Sequence, residues 1–242
     1  MSPILRTFNY FIDFFYPNVC LLCGDKITLN YKTKINPTID STKFCCSKCK
    51  AQIVFAGNKY EVTAEIIPNY SSENFAITNA VSIFKNTPSP PIINLIYGLK
   101  YKGYTQIGLE YGEWLGKVLV SEKMTDYNYI VPLPIHPARK RERGYNQSDY
   151  IALGTNKILN IKVASDLLKR TKHTTSQTLL KPKERLKNME NVFALNTKYN
   201  VAGMKILIVD DVLTTGATLN NCALTLLYNK AKQVDVATLL KA

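Results

Sequence analysis

Lys205-Ile-Leu-Ile-Val-Asp-Asp-Val-Leu-Thr-Thr-Gly-Ala-Thr218 is the stretch that decides the fold. Ile206–Val209 is continuously apolar, as a strand buried on both faces of a parallel sheet must be. The strand read over 205–209 delivers two adjacent carboxylates, Asp210 and Asp211, to its carboxyl end, where open α/β sheets hold ligands. Residues 210–216 read as a turn and 217–228 as a helix. Thr214, Thr215, Gly216, Ala217 and Thr218 therefore sit where backbone N–H groups and the helix dipole favour an anion. Gly216 lets the backbone come close to such a ligand, and the threonine hydroxyls donate to phosphate oxygens. Carboxylates beside a phosphate cradle suit a ligand that also carries hydroxyls or a cation, as a sugar phosphate does. An Asp-based metal or phosphoacceptor site would need no threonine-rich loop.

Working outward, strands alternate with helices, which argues for an α/β parallel sheet. Strands are expected at 76–84, 129–135 and 234–240, and helices at 92–101, 106–120 and 145–159. The strand at 129–135 runs into a Pro-rich basic loop. Upstream, Leu5, Phe8, Ile12 and Phe15 repeat at helical spacing before Pro17 ends the segment. A boundary near residue 60 divides a small module over 1–60 from a larger domain over 61–242.

The small module carries Cys20-Leu-Leu-Cys23 and Cys46-Ser-Lys-Cys49, separated by 22 residues. That spacer slightly exceeds the usual span of about 15–20. Two Cys-x-x-Cys knuckles supply four thiolates for a tetrahedral Zn²⁺, and a closed four-thiolate site is structural rather than catalytic. Buried free thiols or a redox pair are the competing readings. Cys45 is a spare beside Cys46, and Cys222 falls in an apolar helical pattern as a core residue.

The chain has 242 residues, 46% of them apolar and 20% charged, which excludes a disordered or collagen-like protein. No apolar run reaches the about 18 residues of a transmembrane helix. Asp13 interrupts the apolar N-terminus and no small-residue cleavage site follows, so no signal peptide is read and a reducing cytoplasm is the expected location. The net charge is +13, and residues 136–190 contribute +8 of it from 13 basic and 5 acidic groups. Such a concentration points to an anionic partner, a polyphosphate ligand or a nucleic acid; a solvated basic face is the plainer alternative.

Val209-Asp-Asp-Val-Leu-Thr-Thr-Gly-Ala-Thr218 resembles the phosphoribosyl-pyrophosphate (PRPP) motif of type I phosphoribosyltransferases. Pro132-Leu-Pro-Ile-His-Pro137, Arg141-Glu-Arg-Gly-Tyr-Asn-Gln147, the segment from Gln177 to Phe193 and the cysteine knuckles together resemble the ComF/GntX family of competence-associated, phosphoribosyltransferase-like proteins. The resemblance implies a type I phosphoribosyltransferase fold with a small N-terminal zinc-binding module. It implies that Asp210 and Asp211 hold the ribose hydroxyls, directly or through Mg²⁺, and that Thr214–Thr218 hold the 5-phosphate. His136, Arg139 and Arg143 would serve the pyrophosphate end, and Lys100 would reach a phosphate or sit solvated at a helix end. The basic segment from Arg170 to Asn188 resembles the loop that closes over such a site. The activity implied is phosphoribosyl transfer from PRPP to an acceptor that the residues do not identify. The alternatives are a PRPP or nucleotide sensor without catalysis, and a competence factor that binds single-stranded DNA and works with the DNA-uptake machinery.

Overall fold

The computed structural model describes residues 19–27, 44–71, 74–171 and 192–242. The helix expected within 4–16 and the closing segment beyond Thr171, Gln177 included, lie outside the described residues. Among the described residues the helices are α1 (Ser47–Ala51), α2 (Lys59–Ile66), α3 (Ile93–Tyr101), α4 (Thr105–Ser121), α5 (Pro137–Arg143), α6 (Gln147–Leu159) and α7 (Ala217–Tyr228). The strands are β1 (Ala80–Lys85), β2 (Tyr129–Pro132), β3 (Leu168–Arg170), β4 (Phe193–Leu195), β5 (Lys205–Leu213) and β6 (Gln233–Lys241).

β1, β6, β5 and β2 form one parallel sheet in that order. The two central strands, β5 and β6, are buried along nearly their whole length because both their faces are covered. One face packs on α3, α4 and α6 through residues such as Val81, Leu207, Val209 and Leu239. The other packs on α2, α7 and the antiparallel β3–β4 hairpin through Ile206, Ile208, Val234 and Val236. Both sheet edges are closed, as an exposed row of unpaired backbone groups would invite aggregation. Lys85 N–H donates to Val54 O and Ala56 N–H to Ile83 O on the β1 side. On the β2 side Ile130 N–H donates to Lys162 O and Ala164 N–H to Ile130 O.

α4 buries Ile107, Tyr111, Leu115 and Leu119 at every fourth position. Each such side chain contributes about 1.5–3 kcal/mol relative to exposure. The neighbouring stripe, Gly108, Gly112 and Gly116, lets α6 come close: Gly108 faces Tyr150 Cβ, Gly116 faces the Ile158 side chain, and Gly112 faces backbone alone. A Cβ on Gly112 would lie 2.4 Å from Ile151 O, and one on Gly154 would lie 2.2 Å from Leu109 O. Thr155 Oγ1 donates to Gly112 O across this contact at 3.1 Å. At Gly112 and Gly154 the backbones are thus in direct contact, and that sets how closely α6 lies on α4.

α2, β3 and β4 come in addition to the expected elements, and two differences bear on the site. β5 does not end at Val209: it pairs with β6 as far as Leu213↔Lys241, so Asp210 and Asp211 are strand residues rather than turn residues. The basic stretch after β2 is not loop throughout. Pro137 stands at the first helical position and His136 caps it, Nδ1 accepting from Ala138 N–H at 3.2 Å, so Pro137–Arg143 turns into a short helix.

Candidate functional site

The Sγ atoms of Cys20, Cys23, Cys46 and Cys49 all lie within 4.8 Å of one another, and Cys23 and Cys46 are 3.7 Å apart. A tetrahedron of Zn–S bonds of about 2.3 Å separates its sulfurs by about 3.8 Å, so the donor set fits zinc. Backbone bonds shape both knuckles: Gly24 N–H donates to Cys20 O, and Cys49 N–H to Cys46 Sγ at 3.5 Å. Burial pushes the Cys20 thiol up, but N–H donors from Cys46, Cys23 and Leu22 outweigh it and bring the group down to about 7. Burial pushes Cys49 well above the usual thiol range. Cys45 is outside the cluster; burial, then the Cys20 and Cys46 charges, push its thiol up to about 12. The knuckle packs on α3 at Gly98, where an added Cβ would meet Leu21 Cδ1 at 3.1 Å. It therefore supports the helix that carries Lys100.

A cleft of about 210 Å³ opens at the carboxyl end of β5. Lys100, Arg139, Arg143, Asp210, Asp211, Thr214, Thr215, Gly216, Ala217 and Thr218 all line it. These residues come from α3, α5, the end of β5 and the start of α7, so the fold gathers positions more than a hundred residues apart. His136 is not among the lining residues; its ring is engaged as the cap of α5.

The two carboxylates are buried and face different partners, as adjacent strand residues must. Asp210 Oδ1 accepts from Ser148 Oγ at 2.8 Å. Asp211 Oδ1 pairs with Lys100 Nζ at 2.9 Å, while its Oδ2 is buried without a hydrogen-bond partner among the described residues. Burial, and then the Asp211 charge, push the Asp210 carboxyl up to about 7 against the opposing Ser148 bond. A buried acceptor with nothing to accept is unfavourable, so Asp211 Oδ2 suits a hydroxyl or a divalent cation brought by a ligand.

The phosphate end is built from backbone. Gly216 caps α7 at φ 79, a left-handed conformation that glycine alone adopts freely, and offers no side chain of its own; Thr215 Oγ1 accepts from Ala217 N–H at a long 3.4 Å. A Cβ there would meet only ordinary contacts at 3.5 Å or more, so the dihedral, rather than crowding, requires glycine. Tyr70 OH donates to Thr215 O at 2.9 Å and Asn220 Nδ2 to Asn74 O at 2.7 Å, fixing the loop from outside. Arg139, Arg143 and Arg170 line the same cleft; with Lys100, four cationic side chains among the described residues stand against two carboxylates.

Sequence reasoning missed several members. Ser148 is fully buried in the first turn of α6, and a serine there gives no signal of its own. Gln147 lines the cleft and accepts from Arg143. Arg170 was legible only as the start of a basic segment, yet it lines the cleft, 5.6 Å over the Phe193 ring. Tyr101 lines the rim with the Arg143 guanidinium 5.2 Å from its ring centroid.

Residues 154–242 match the family described as "Phosphoribosyl transferase domain". Competence protein F of Haemophilus influenzae is 35% identical over 114 residues, covering 47% of this chain and 50% of that one. The DNA utilization protein YhgH of Escherichia coli K12 is 34% identical over 152 residues, 61% of this chain and 66% of that one. Competence protein ComFC of Bacillus subtilis is 36% identical over 122 residues, 47% of this chain and 44% of that one. The matches thus span roughly half to two thirds of these relatives. The parallel sheet with helices on both faces, joined to that domain match, is the type I phosphoribosyltransferase fold, and the cysteine cluster near its N-terminus fits a zinc-binding module.

Proposed function

We propose that this chain, a member of the ComF family, binds PRPP with Mg²⁺ in the cleft at the end of β5 and transfers its phosphoribosyl group to an acceptor. One observation carries the reading: a buried carboxylate pair with an unpartnered oxygen, a helix N-terminus held open by Gly216 and a set of arginines share one small cleft. Thr214, Thr215, Thr218 and the first turn of α7 would hold the 5-phosphate. Asp210 and Asp211 would hold the ribose hydroxyls, with Asp211 Oδ2 the free acceptor. Mg²⁺, when bound, neutralises charge on the departing pyrophosphate. Arg139 and Arg143 line the cleft where they would do the same as the ribosyl–oxygen bond breaks and its electron pair leaves on the pyrophosphate. The carboxylates would favour the cationic sugar that remains until the acceptor bonds to it.

Calorimetry with PRPP and Mg²⁺ tests this directly. The wild type should bind, and Asp210→Asn or Asp211→Asn should weaken binding at least about 30-fold, about 2 kcal/mol. A wild type that binds neither PRPP nor any nucleoside 5′-monophosphate overturns the assignment.

A second reading has its own observation. Tyr97 and Tyr101 are exposed with their rings 6.0 Å apart, and Tyr101 meets Arg143 of the basic α5, an arrangement that suits stacking of unpaired bases. The names of the relatives, which refer to competence and DNA utilization, agree with a DNA-binding role. Salt-sensitive binding of single-stranded DNA that ignores Asp210→Asn, with no PRPP binding, would favour it.

We assign the cysteine cluster as structural zinc. Purified protein should hold one zinc per chain with four thiols protected from alkylation, and Cys49→Ser should lower stability by several kcal/mol. Metal-free protein with freely alkylated thiols overturns the assignment.

A further inference from the structure

The carboxylate pair in the cleft already has a cation of its own. Lys100 Nζ lies 2.9 Å from Asp211 Oδ1, with the lysine side chain 24% exposed and the aspartate 3%. Lys100 stands in the last turn of α3, which Tyr145 secures by donating its hydroxyl to Leu99 O. The aspartate is fixed by β5 pairing on either side of it, at Asp210 and Val212. The movable member of the pair is therefore the lysine, a flexible stem carrying a compact charge. A divalent cation on Asp211 would have to share its surroundings with that ammonium, and like charges at such range in a buried setting repel strongly.

We propose that Lys100 is a displaceable counter-ion that closes the Asp210–Asp211 pair to free divalent cations until a phosphate-bearing ligand draws its ammonium away. Asp211 Oδ2 has no hydrogen-bond partner among the described residues, so the carboxylate is receptive while Oδ1 is engaged. Lys100 also faces the same cleft as Arg139 and Arg143, so ligand phosphates entering there offer it a second anion. Cation and ligand then enter together, and a cation alone does not lodge in the site. The inference rests on the cleft taking a phosphate-bearing ligand, as proposed above. It gives Lys100 a role that a phosphate contact alone would not.

Mn²⁺ titration followed by electron paramagnetic resonance, on the full zinc-loaded chain without nucleotide, tests it. Lys100→Met should bind Mn²⁺ at least 10-fold more tightly than the wild type, and Lys100→Met/Asp211→Asn should lose that gain. Ribose 5-phosphate should raise the Mn²⁺ affinity of the wild type and leave that of Lys100→Met unchanged. If Lys100→Met does not fold, Lys100→Gln keeps a polar contact to Asp211 without the charge and should show the same gain. Equal Mn²⁺ affinity in wild type and lysine variant, or a gain that survives Asp211→Asn, overturns the proposal. A wild type that ignores PRPP while the lysine variant gains Mn²⁺ refutes the ligand assignment and supports the counter-ion. PRPP binding with no such gain refutes the counter-ion alone.

Discussion

Asp235 and Asp211 are both buried carboxylates in the central sheet, and they are provided for in opposite ways. Asp235, near the amino end of β6, has both oxygens satisfied. Oδ1 accepts from Asn79 N–H at 2.9 Å and Asn79 Nδ2 at 3.1 Å; Oδ2 accepts from Tyr127 OH at 2.7 Å and Gln233 Nε2 at 2.8 Å. Asp211, near the carboxyl end of β5, has among the described residues one ion pair and one oxygen without a partner. A carboxylate that serves the fold is surrounded by donors from its own chain. The deficit at Asp211 is one that the proposed ligand would fill.

The largest expected effect breaks the satisfied site. Asp235→Ala strands the Tyr127, Asn79 and Gln233 donors and should cost about 3–5 kcal/mol of unfolding free energy in urea titration. Asp211→Asn, by contrast, should change stability by less than about 1 kcal/mol, since it also removes a desolvated charge. Similar losses for the two variants would erase the distinction.

A smaller effect sharpens the comparison through pH. The folded Asp210 carboxyl titrates at about 7, raised first by burial and then by Asp211, whereas an unfolded one titrates at about 3.9. The folded state therefore binds the proton more tightly. Its contribution to stability is fully present below about pH 4 and is lost as pH rises through about 7. Urea midpoints of the wild type should fall across that window, and Asp210→Asn should flatten the decline. Ser148→Ala, the mildest change, removes a bond to the charged form and should carry the decline to higher pH. Identical pH profiles for wild type and Asp210→Asn would show that Asp210 titrates at its ordinary value.

The parallel sheet was legible in the sequence because burial on both faces writes continuous apolar runs such as Ile206–Val209. Periodicity could not reveal how far β5 extends. Asp210 and Asp211 look like turn residues, and only backbone pairing to β6 keeps them extended. The hairpin escaped because β3 and β4 are three residues each, too short for a pattern. In the cleft, type and spacing pointed to the aspartates and the threonine–glycine loop, while Lys100, Arg139 and Arg143 came only with the family resemblance. Ser148 and Arg170 reach the cleft only through tertiary packing, which the linear sequence does not express. His136 looked like a ligand-facing histidine, but its position before Pro137 made it a helix cap.

The bare contact between α4 and α6 has a consequence for heredity. Ser148 reaches Asp210 from the first turn of α6, so whatever sets that helix sets the cleft. One added methyl at Gly112 or Gly154 would push α6 outward and silence the cleft from a position that does not line it. The atoms opposing that methyl are carbonyl oxygens, a backbone nitrogen and Cα atoms. No trimming of a neighbouring side chain makes room for it, and a reversion screen of such an allele should return glycine alone.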